Sequence, residues 1–74
     1  MAIGSVGSSG MKDEHYDIVS ALYHALQGAD VAGKYISDAE KEGDKEVATF
    51  FHEVQEKNRE LAMKAKELLA KRVH

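Results

Sequence analysis

The 74-residue chain contains no cysteine, no proline and no tryptophan. Without cysteine there is no disulfide, no thiolate metal ligand and no thiol nucleophile, and a reducing, cytoplasmic setting is the natural expectation. Without proline nothing inside the chain forces a helix to break, so very long helices are permitted. Long apolar runs are missing as well: no stretch approaches the ~20 apolar residues of a membrane span, and no membrane contact is expected. An excess of one charge is also lacking. The 10 Lys+Arg and 13 Asp+Glu give a net charge of -3 with the signs interspersed, which leaves no basic face to attract a nucleic-acid backbone or anionic lipid. There is no Gly-rich phosphate loop, no nucleophile elbow and no inward pair of carboxylates, so the reading is of a protein that is not an enzyme and uses no cofactor.

The chain begins with "MAIGSVGSSG", a Gly/Ser-rich opening whose sizeable apolar groups are Ile3 and Val6. It has neither the basic start nor the apolar run of a signal peptide, and residues 1–12 are expected to be a flexible segment. From Asp13 to Glu42, Ile18, Leu22, Ala25, Ala29, Ala32, Ile36 and Ala39 recur at alternating steps of four and three. That is a helical seam with heptad spacing. Gly43 supplies a left-handed stop and Asp44 an N-cap for the next helix. This second helix, over 45–72, carries the seam Val47, Phe51, Val54, Asn58, Leu61, Ala65 and Leu68. Helix 13–42, turn 43–44 and helix 45–72 make an antiparallel two-helix hairpin over 13–74, an all-α fold. Facing residues should have numbers that add up to 86 or 87, which sets Ala29 opposite Asn58 and Ala25 opposite Leu61.

One hairpin is a small core. A chain of this length buries only about 60 % of its unfolded surface, so it needs a metal, a disulfide or a partner to be secure. Val19, Leu26 and Gly33 form a second line beside the first seam, and Ala48, Ala62 and Leu69 a second line on the other helix. A two-helix contact requires neither, so a homodimer or higher even oligomer is expected, with Val19, Tyr23, Leu26, Ala62 and Leu69 at its interface. A further, unidentified protein partner is compatible with the same surface. Asn58 alone breaks the apolar rule of the seam. Its expected role is that of an inward heptad asparagine, which lowers stability but fixes register and oligomeric state.

The stretches "EGDKEVATFF" and "EKNRELAMKAKELL", with "AGKYI" before the turn, resemble the helical-hairpin repeat of the ferritin-like, rubrerythrin-type superfamily over Tyr16 to Leu69. The resemblance implies a four-helix bundle built from two hairpins. It also implies a Glu on the first helix and a Glu-x-x-His pair on the second, which together hold two iron ions. Those positions fall on Ala29, Asn58 and Leu61. A methyl group, a neutral amide and an isobutyl group supply no negative charge to iron, so the resemblance implies the scaffold and argues against the chemistry. The expected function is therefore a non-catalytic, homo-oligomeric structural or protein-interaction module. The alternative is an iron-binding redox or storage protein that recruits other ligands from Asp30, His24, His52, Glu53 or Glu56. The pairs Glu53/Lys57, Glu60/Lys64 and Glu67/Lys71 have the Glu-first i, i+4 spacing that supports a solvated helix.

Overall fold

The computed structural model describes residues 13–72, so the expectation for 1–12 lies outside the described residues. Two helices account for nearly all of them: α1, Asp13–Lys41, and α2, Lys45–Arg72. Each begins and ends for a local reason. Asp13 and Glu14 in the first turn of α1, and Lys71 and Arg72 in the last turn of α2, oppose the helix dipole with the favourable sign. Between the helices, Gly43 adopts φ 73°, which costs glycine nothing and a side-chain-bearing residue about 1 kcal/mol. Its N–H donates to the Glu40 carbonyl (3.0 Å) while the Asp44 N–H donates to the Ala39 carbonyl (2.9 Å), so the last turn of α1 closes as a Schellman motif. Asp44 then starts α2. Its carboxylate accepts from the Val47 N–H at 3.1 Å and its carbonyl from the Ala48 N–H at 3.0 Å, so a single residue both ends the turn and caps the next helix.

Three contacts along the hairpin give its register. Arg72 Nε donates to Glu14 Oε2 at 3.1 Å at the open end, Gly28 lies against Asn58 in the middle, and the rings of Tyr35 and Phe51 stand 5.2 Å apart near the turn. In all three pairs the residue numbers add up to 86, as the two-residue turn requires. On α1 the buried residues Ala25, Ala29, Ala32, Ile36 and Ala39 are those of the expected seam.

The rotation of α2 differs from the sequence expectation. Its buried residues are Ala48, Ala62 and Ala65, with Phe51, Gln55, Asn58 and Leu69 half-buried beside them. The inward line is therefore 48, 51, 55, 58, 62, 65, 69, and Val47, Leu61 and Leu68 of the expected seam are exposed. Relative to expectation the helix is turned by about 60°, somewhat less than the 100° that separates successive residues. The physical reason is backbone approach. Alanine and glycine facing alanine let two helices come close enough for side chains of one to reach the backbone of the other, whereas leucine and valine in the seam would hold them apart. The hairpin measures 49 × 25 × 14 Å. Its thickness is close to the diameter of one helix, about 10–12 Å, so the described residues form a single layer with both broad faces open.

Candidate interaction face

The middle of the hairpin carries the polar groups that the sequence placed at its seam. Asn58 Nδ2 donates to the Val54 carbonyl of its own helix at 3.1 Å, and its carboxamide fills the notch left by Gly28, where a Cβ would sit 3.0–3.1 Å from all three of its terminal heavy atoms. Gln55, one turn earlier, reaches across to α1 and donates Nε2 to the Ala29 carbonyl at 3.1 Å. A Cβ on Gly33 would meet that same Nε2 at 3.1 Å. Two glycines of α1 thus receive two carboxamides of α2. Gln55 was missed by the sequence reading, although it stands on the regular 3-4 line that starts at Ala48 and includes Asn58.

These contacts decide whether the residues at the implied di-iron positions fit such a centre. Ala29 is buried beneath Gln55, Asn58 is committed to its own helix, and Leu61, expected to point inward, is 57 % exposed. The three positions offer no carboxylate or imidazole and do not converge on one point, so they do not fit an iron site. The other candidate ligands are dispersed. His24 lies in a groove with Asp17 and Lys64, His52 lies on the opposite face near Glu40 and Lys45, Glu56 sits 3.9 Å from Arg59, and Asp30 is exposed. Among the described residues no three His, Asp or Glu side chains are grouped to hold a metal. No family model, curated protein or solved structure matches the chain.

The two broad faces differ. On one, the apolar side chains run the full length of α2: Val47, Phe50, Val54, Leu61 and Leu68, of which all but the half-buried Val54 are exposed. Near the turn Tyr35 of α1 joins Val47 and Phe51; at the open end Ile18 and Ala21 flank Leu61 and Leu68. On the other, Tyr16, Val19, Tyr23 and Leu26 occupy the open half of α1, and the turn half is polar, lined by Glu40, Lys45, Thr49 and His52. The residues expected at a dimer contact belong to this second face only in part. Val19, Tyr23 and Leu26 are exposed, but Ala62 is 3 % exposed within the single chain and Leu69 is half-buried. Ala62 is therefore removed from the expected set: its surface is already used inside the hairpin. No helix of the described residues is long and apolar enough to cross a membrane.

Proposed function

We propose that the chain is a self-associating helical hairpin, a non-catalytic structural or protein-interaction module in which two hairpins pair into a four-helix bundle of the ferritin-like kind. One observation carries the reading: among the described residues the buried core consists of eight, seven of them alanine, while the large apolar side chains lie outside it. Burying a leucine or phenylalanine contributes about 1.5–3 kcal/mol and an alanine far less, so most of the available hydrophobic stabilisation is left for a second layer. A face 49 by 25 Å exceeds the roughly 800 Å² per partner that a stable interface requires. Sedimentation equilibrium of the full chain at micromolar concentration tests the reading. A mass of two chains, or a higher even number, is the expected result, and a monomer at every concentration is incompatible with it.

A further inference from the structure

The geometry points to a specific second copy on a specific face: α2 of one hairpin packs antiparallel against α2 of another, along the stripe Val47, Phe50, Val54, Leu61 and Leu68. The inference rests on the self-association just proposed and adds its face and direction. Continuity chooses the face. Val47, Val54, Leu61 and Leu68 recur every seven residues from the turn to the open end, whereas the apolar residues of the opposite face stop halfway. Charge chooses the direction. Beside the stripe, Glu46, Glu53 and Glu60 form one exposed row and Lys57, Lys64 and Lys71 another. Among the described residues the ion pairs are Glu56 with Arg59 and Glu14 with Arg72, so the Glu53/Lys57 and Glu60/Lys64 spacings are not closed into contacts and both rows are open to a second chain.

About a two-fold axis level with Asn58, antiparallel helices bring Glu53 beside Lys64 of the other copy, Glu60 beside Lys57, and Glu46 beside Lys71. These three pairs are of opposite sign, while Lys57, nearest the axis, also lies close to its own copy. The same axis sets Val54 across from Leu61 and Val47 across from Leu68, so apolar and charged rows match at one register. A parallel pairing, whose two-fold runs along the helices, would instead put the charged rows of the two copies on opposite sides of the contact, where neither row meets the other. Laying α1 of one copy over α2 of the other is also disfavoured, because it brings Glu46 to a level between Asp38 and Glu42 on the acidic edge of α1.

The absence of cysteine makes the test direct. In the full chain, Lys57→Cys should form a disulfide with its own copy on mild oxidation, because residue 57 lies near the axis. Lys71→Cys alone should not, its copy being about 39 Å away along the helix, yet it should cross-link when mixed with Glu46→Cys. Glu53→Lys should weaken the dimer about tenfold at low ionic strength, and Glu53→Lys combined with Lys64→Glu should restore it. Those two positions are 11 residues, about 16 Å, apart on one helix, so the rescue must cross between chains. Leu61→Lys should give a monomer and Leu26→Lys should leave the dimer intact. A dimer that survives Leu61→Lys but not Leu26→Lys, or Lys71→Cys linking to itself, overturns the inference while leaving self-association standing. A parent chain that is monomeric throughout ends both.

Discussion

At the scale of single residues the hairpin is held by shape as much as by bonds. Asn58 has the position of a register-setting asparagine, but its amide bonds within α2; the cross-helix bond comes from Gln55. The contribution of Asn58 to the contact is volume, seated where Gly28 has no side chain. Glycine inside a helix costs about 1 kcal/mol relative to alanine, so Gly28 stands in α1 against its own propensity. Gly28→Ala should therefore fail to give the usual gain. The new methyl group would press on the Asn58 carboxamide at 3.0–3.1 Å and loosen its bond to Val54, and stability should fall by about 0.5–1 kcal/mol. In an Asn58→Ala background the obstacle is gone, and the same change should stabilise by about 1 kcal/mol. Urea unfolding of the four chains at one concentration measures both effects, and the reversal of sign is the outcome that matters. If Gly28→Ala stabilises equally in both backgrounds, the notch is not a packing feature.

At the scale of elements, the contact between α1 and α2 is an alanine seam that works only at close range. Ala32 is 2 % exposed, so Ala32→Leu would insert three carbons where no space exists. It should destabilise by about 1–3 kcal/mol despite the excellent helix propensity of leucine. The change is read from the urea midpoint, and a variant as stable as the parent would show that the helices can separate without loss. The seam also explains which features were legible in the sequence. Helix existence, the Gly43–Asp44 turn and the facing register came from the absence of proline, the glycine stop and equal helix lengths, because those are local or metric constraints. The α1 seam was legible because its rival heptad line, Val19-Leu26-Gly33, runs out at a glycine before the turn, whereas Ile18, Leu22 and Ile36 mark the seam at both ends. On α2 two lines compete, Val47-Val54-Leu61-Leu68 and Ala48-Gln55-Ala62-Leu69. Hydropathy alone favours the first. Only the closeness of the helices, which depends on both partners at once, selects the second, and with it Gln55 as a cross-helix donor.

At the scale of the molecule, folding and association should be one process. A helix pair in water must overcome a backbone ordering cost of about 1–2 kcal/mol per residue, and here it does so with a core that is mostly alanine. The two ion pairs among the described residues add little, since both sit at exposed positions where such contacts contribute about 0–1 kcal/mol. On the proposed pairing the further stabilisation comes from the stripe on α2, which is covered only when a second layer is added. If that is so, the folded hairpin and the dimer appear together, and mass action links stability to concentration. Measured by circular dichroism at 222 nm, the midpoint of thermal unfolding should rise steadily over a hundredfold range of concentration, and helicity at 25 °C should fall on dilution toward the nanomolar range. Leu61→Lys should lower the midpoint and flatten this dependence, since the exposed side chain it replaces matters little to one hairpin but sits in the middle of the stripe proposed for pairing. A midpoint that does not move with concentration, in a chain that nonetheless sediments as a dimer, would mean that the alanine seam alone suffices to fold the hairpin and that pairing is a separate, later step.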